Sequence, residues 1–409
     1  MTVGIFNTGN FTQDLAKKSF AAMITRLMPN GTAPLFALTS MLTDETAVQV
    51  EHGFFSKTMI FPEAKINNGS GHTASDTLFD VDTTVNLLPG MIMRIERTGE
   101  NVIINVVPNS TQISVERSIG GVAAATVDDD DDLYQVGTAF EESSVRPNAL
   151  NIIPVRVTNF TQIFRNTWAI SGSAKATEVI AGDTTDAESR KDAAAFHASD
   201  IEKAMFFSQK SQGTRNGQPF RTMDGLLNMI EDPSFYPPIY QGVVNSFTAG
   251  ATTNFTQLQG FLDPVFNQTT DPKGANERVL FVGGAAKVVI NEIGRLNGTY
   301  RLVDGQTNFG LQFSTLTLAR GKFRIIEHPL FNTNLTWAKM AVAVDLPTFR
   351  LAYLAGRKTQ NKEFNTEGKM AQDNGIDAVG GTLTTEVTTV IKNTPANAVI
   401  RNLTLAAVG

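Results

Sequence analysis

Apolar and polar positions change rhythm several times along the chain, and the longest helical rhythm lies near its middle. Over residues 186–209 the apolar positions Ala187, Ala194, Ala198, Ile201 and Met205 return on one narrow face, while Arg190, Lys191, Asp192, Asp200, Glu202 and Lys203 occupy much of the rest. Thr185 and Glu188 have the Ser/Thr-x-x-Glu spacing of a capping box, in which hydroxyl and carboxylate satisfy orphan backbone donors. A helix is therefore expected to begin there. At about 1.5 Å per residue it makes a rod of roughly 36 Å, long enough to act as a spine. The polar turn Gly182-Asp183-Thr184 precedes it, and the apolar step Gly225-Leu226-Leu227-Asn228-Met229 follows.

The flanking rhythms are shorter. Residues 14–27 are helical in pattern, with Leu15, Phe20, Met23, Ile24 and Leu27 on one side, and Pro29, Asn30, Gly31 and Pro34 stop the run. This segment reads as a terminal helix on its own core, with an arm reaching a neighbour as the alternative. Residues 48–59 are extended in pattern, and residues 65–77, rich in Gly, Asn and Ser, are expected to form a mobile loop.

Residues 81–138 carry short strand patterns at 91–95, 102–107, 113–117 and 133–136, separated by turn signals at Thr98-Gly99, Pro108-Asn109-Ser110 and Gly120-Gly121. Such spacing predicts a small barrel or sandwich inserted into the chain. After Pro233, Pro237 and Pro238 a strand at 278–282 runs into Gly283-Gly284 and a helix with Val289, Ile290, Ile293 and Leu296 on one face, ended by Asn297-Gly298. Further strands at 313–318, 323–326 and 340–344 give the alternation of an α+β domain. The strands at 383–391 and 399–405 are expected to pair around Asn393-Thr394-Pro395.

Composition narrows the function classes. A chain of 409 residues suggests two or three packed units, and 18% charged residues is low enough for part of the surface to be committed to partners. With no cysteine there is no disulfide framework, thiolate metal site or thiol nucleophile. No signal peptide and no membrane-length apolar run is present, so synthesis and folding in the cytoplasm are expected. A net charge of −6 with no basic tail excludes a sequence-specific DNA reader, although a wall that merely surrounds nucleic acid can carry it.

No catalytic, cofactor or metal site is predicted. His52, His72, His197 and His328 are scattered without ligand spacing, and His197 reads as a surface or interface histidine. Gly321-Lys322 and Gly368-Lys369 lack the remaining P-loop positions. The five aspartates at 128–132 lack the spaced ligands and closing Glu of a calcium loop and read as a solvated turn. Glu141 and Glu142 are adjacent on an extended chain, point to opposite faces and read as a solvated edge.

Several short blocks carry a resemblance. They are Arg97-Thr98-Gly99-Glu100 and Gly120-Gly121, then Asn159-Phe160-Thr161-Gln162-Ile163-Phe164-Arg165, Ser189-Arg190-Lys191 and Asp200-Ile201-Glu202-Lys203-Ala204. Met223-Asp224-Gly225-Leu226-Leu227, Gly381-Thr382-Leu383 and Asn402-Leu403 follow in order. In these blocks the chain resembles the major capsid proteins of tailed bacteriophages with the HK97 fold, in the branch with a β-rich insertion in the extended loop.

The resemblance implies an N-terminal arm at 1–44, an extended loop at 45–160 with its β domain at about 81–140, a peripheral domain with the spine helix at 161–215, an axial domain at 216–347, and peripheral strands at 348–409. It implies a structural subunit forming hexamers and pentamers of an icosahedral head around double-stranded DNA, contacted non-specifically, in a virion assembled in the host cytoplasm. A scaffold protein, a portal and a decoration protein are the implied partners, and the lack of a long helical N-terminal extension favours a separate scaffold. Phe54, Phe55, Lys57 and Lys65 lie where the extended loop would meet neighbouring subunits, and no covalent cross-linking site carries over. Two other readings compete: an encapsulin-like cellular compartment shell, and an enzyme of unrecognised type, disfavoured by the empty search for chemistry.

Overall fold

The structure of the chain, a computed structural model, describes residues 33–57, 61–151, 153–177, 185–236, 244–267, 276–296, 303–308, 311–364 and 377–404. The helix expected at 14–27 lies outside the described residues. The chain divides into two compact units, one of residues 55–155 and one formed by residues 1–54 with 156–409.

The smaller unit is a six-stranded β structure in the order Glu63–Lys65, Asp132–Thr138, Met91–Ile95, Asn101–Asn109, Gln112–Glu116 and Leu78–Asp80. Its two end strands also meet. Ile66 bridges Val81, Asn67 N–H donates to the Asp80 carbonyl at 2.9 Å, and Asp82 N–H donates to the Lys65 carbonyl at 2.9 Å. The sheet thus closes into a barrel and leaves no open edge. Alternation along Met91–Ile95 turns Met91, Met93 and Ile95 inward, where they pack with Phe79, Val102, Ile104, Ile113, Val115 and Leu133.

Two expectations for this unit are corrected. The Gly/Asn-rich stretch after Lys65 is pinned: Asn68 Nδ2 donates to the Gly71 carbonyl, buried His72 accepts from Asp80 N–H through Nε2 at 3.1 Å, and His72 and Val127 exchange backbone bonds. The aspartate run is also no freely solvated turn. Asp131 is buried and accepts from Arg97 Nε at 2.7 Å and Nη2 at 2.8 Å, while Asp128 pairs with Arg97 at 3.1 Å and Asp132 with Lys65 at 3.0 Å. The Arg97 bond, more than burial, sets the balance and holds the Asp131 carboxyl below its usual range. Side chains distant in sequence supply these partners, which composition does not show.

The larger unit holds two large sheets among the described residues. One orders Glu45–Ala47, Phe349–Leu354, Ala378–Ile391 and Gln162–Ser171, with Gln360–Phe364 also on Ala378–Ile391. Gln162–Ser171 and Ala378–Ile391 run antiparallel over ten residue pairs, from Gln162 opposite Val387 to Ser171 opposite Ala378. Phe164, Trp168 and Ile170 alternate inward along the first of these.

The other sheet has seven strands, in the order Ser246–Thr248, Ala398–Arg401, Ala341–Val344, Glu277–Val282, Lys322–Glu327, Leu311–Thr317 and Val303–Asn308. Its central strand Glu277–Val282 is buried on both faces: Val279 and Phe281 join one apolar cluster, Leu280 and Val282 another with the helix Gly284–Leu296. The terminal strands do not pair as expected. Ala378–Ile391 and Ala398–Arg401 join different sheets because the short helical turn Thr394–Ala396 between them is itself buried and redirects the chain.

The candidate assembly site

The spine helix spans Thr185–Phe207 and packs on Gln162–Ser171 and Ala378–Ile391. Its buried positions are Ala193, His197, Ile201, Glu202, Met205 and Phe206. Ile201 and Met205 thus lie on the face expected of them, whereas Ala187 and Ala198 are only half-buried and Ala194 is exposed. The buried row is rotated toward Ala193 and His197 because polar side chains carry part of the contact, and counting apolar residues alone misses them. Ala193 meets Trp168 and Ile170, and the Arg190 guanidinium lies 4.5 Å from the Trp168 ring. The described helix opens at Thr185, whose side chain lies outside the described residues, and Glu188 pairs with Lys191 at 3.5 Å.

His197 is buried, against the surface role expected. Its Nδ1 lies 2.6 Å from Asn166 Oδ1 and its Nε2 2.7 Å from Thr385 Oγ1. Asn166 Nδ2 donates to Asp200, which leaves Oδ1 to accept from Nδ1–H and assigns Nε2 as acceptor of the Thr385 hydroxyl. Burial pushes the imidazole pKa below its ordinary value, opposed by the nearby Asp200 charge.

Glu202 departs furthest from the sequence reading, which put it on the charged outer face. It is buried, and its carboxylate accepts from Leu35 N–H at 2.9 Å, Phe36 N–H at 2.7 Å and His328 Nε2 at 2.6 Å. His328 Nδ1 accepts from Leu330 N–H at 3.2 Å, so the proton sits on Nε2 and points at Glu202. Phe206, Phe281 and Phe331 surround the imidazole, the nearest ring centroid at 4.6 Å. The spine carboxylate therefore caps the short helix Pro34–Thr39 and anchors the segment before Glu45 to the core.

Polar residues of two of the resembling blocks meet the strand Ala378–Ile391 in a second network. Asn159 Oδ1 accepts from Asp224 N–H at 2.8 Å, and Asn159 Nδ2 donates to the carbonyls of Asp224 and Thr389 at 3.2 and 3.0 Å. Thr161 Oγ1 donates to Glu386 at 2.8 Å. Gly225 is needed beside them because an added Cβ would sit 2.8 Å from Phe206 O and Ser208 N. Burial raises the Asp224 carboxyl above its ordinary pKa, against bonds from Asn228 and Lys210 that lower it.

Of the four extended-loop positions, Phe54 packs with Ala47, Ala352 and Val390, whereas Phe55 is 72% exposed. Lys57 is exposed, and Lys65 is engaged by Asp132. Among the described residues no group of three or more His, Asp or Glu is placed to hold a metal ion. Each histidine has a structural partner, His52 facing Glu45 at 3.4 Å.

The sequence profile of the SU10 major capsid protein family matches residues 5–404. The chain belongs to that family. A major capsid protein of Pseudomonas phage PaMx41 is 36% identical over 409 residues, covering 98% of this chain and 96% of its own. The solved structure of Microbacterium phage Oxtober96 aligns with a TM-score of 0.50 and 9% identity over 97% of this chain and 99% of that one, and the capsid of a native GTA particle with 0.49 and 8% over 97% and 98%. The SU10-family chain is thus a phage major capsid protein with an α+β fold of the HK97 class, and belongs with structural proteins of the virion.

Proposed function

We propose that the chain forms hexameric and pentameric capsomers of an icosahedral head that encloses packaged double-stranded DNA, assembled in the host cytoplasm. Family membership across nearly the whole chain carries this reading. In this reading residues 1–44 are the arm, the barrel of residues 55–155 is the insertion of the extended loop, the spine helix and five-stranded sheet form the peripheral domain, and the seven-stranded sheet forms the axial domain. Phe55 and Lys57, with the outer spine face, are the proposed contacts between subunits, and a separate scaffold protein, a portal and a decoration protein are the proposed partners. Stable contacts bury on the order of 1,600 Å² each, and a subunit with several neighbours sums them without a covalent staple.

Electron microscopy of purified particles tests the reading. Closed shells containing DNA support it. Shells filled with protein cargo would instead favour an encapsulin-like compartment, and a lone soluble monomer would sink both.

A further inference from the structure

The strands Ser211–Arg215 and Gln218–Thr222 form a hairpin turned by Asn216 and Gly217, both at positive φ, 52° and 72°. Every residue from Ser211 to Phe220 is exposed, and the ribbon is held at its base, where Thr222 Oγ1 donates to the Gln209 carbonyl at 2.6 Å. A bare two-stranded ribbon is marginal in water, so one this exposed calls for a partner. Its chemistry specifies which. Residues 208–223 contain Lys210, Arg215 and Arg221 and no carboxylate.

Lys210 is committed, its Nζ donating to the Thr158 carbonyl at 2.7 Å. Among the described residues Arg215 and Arg221 have no ion pair. Phe220, 42% exposed, stands opposite Gly213 on the face that also carries Arg215, so nothing from the facing strand covers its ring. Arg beside an aromatic ring is the usual make-up of an anchoring contact.

The complementary charge is on the other unit. Residues 55–155 hold fourteen carboxylates and six cations, a net −8, which leaves +2 for the rest of a chain of net −6. Asp128 and Asp131 share Arg97 and Asp132 pairs with Lys65, but Asp129 and Asp130 are exposed on the same turn without an ion pair among the described residues, Asp129 accepting the Asn68 N–H at 2.8 Å. Many copies of so acidic a unit crowded into one shell repel one another unless a cation meets each.

We propose that the Arg215–Arg221 hairpin of one subunit docks on the Asp129–Asp130 turn of a second copy. The contact joins unlike surfaces of identical chains, as a closing ring or shell requires. The proposal rests on the capsid reading, which shells of the unmutated protein establish independently of any charge variant.

The test is charge exchange in the full chain. R215E/R221E and D129K/D130N are each expected to lower shell yield by about tenfold or more, since unpaired like charges oppose docking; Asn suits the left-handed φ of 64° at position 130. Combining all four changes in one chain should restore yield to within about threefold of the unmutated protein. Circular dichroism of the subunits checks folding, and R215Q/R221Q carries the test if the reversal unfolds. Undiminished yield from the hairpin variants, with or without loss of DNA, overturns the proposal, as does failure of the combined chain to recover. A lowered melting temperature of the unassembled subunit in either charge variant, recovered in the combined chain, would place the contact within one chain and also overturn it.

Discussion

His197 is buried as a neutral ring between Asn166 and Thr385, with its pKa below the ordinary 6.5. The folded chain then binds fewer protons than the unfolded one between the folded pKa and 6.5. Its contribution is fully present above that window and is lost as pH falls through it. The melting temperature should fall as the protein is acidified below about pH 6.5, and His197→Gln should flatten that part of the profile. Ile201, fully buried beside it, gives a harsher test. Ile201→Asp places a carboxylate in the apolar cluster, with an expected loss on the order of 4 kcal/mol and no soluble shells. Intact particles from that variant would show that this is not the packed face. Ile201 was readable from helical spacing; His197 was not, because its partners lie 31 and 188 residues away.

At the scale of elements, the spine helix was legible in extent from its period but not in orientation. Sequence separates apolar from charged positions, and Glu202 looks like one more solvated carboxylate until Pro34–Thr39 and His328 fold onto it. Glu202→Ala removes the acceptor for two backbone donors and a buried imidazole, a loss of about 3 kcal/mol. Hydrogen exchange at the Leu35 and Phe36 amides should accelerate, with a smaller change for Glu202→Gln, whose amide oxygen still accepts. Unchanged protection in the alanine variant would remove Glu202 as the anchor of this helix. Four of the six barrel strands were legible because turns and alternation are local; the three-residue strands Glu63–Lys65 and Leu78–Asp80 were not, being too short to show an alternation. The hairpin at 211–222 was not, since its polar strands carry no inward-facing apolar row.

For the whole molecule, the two units have separate apolar clusters, so damage to one core should stay local. Met93 is fully buried in the barrel, and Met93→Ala is expected to cost about 2–5 kcal/mol. Exchange should rise across the barrel strands while the spine amides keep their protection; equal loss in both would mean that the units fold as one.

The sequence by itself determined the spine, the four longer barrel strands and the Glu277–Val282 strand with its following helix, since each is encoded in a local period and local turn residues. It also bounded the chemistry, through the lack of cysteine and of ligand spacing. Only the tertiary structure decided that the barrel closes, that Ala398–Arg401 leaves its expected partner for the seven-stranded sheet, and that Glu202, His197 and Asp131 are buried. Those outcomes depend on donors and acceptors far apart in the chain. Whether a polar side chain is solvated or satisfied within the core is settled by its partner, which no local pattern names.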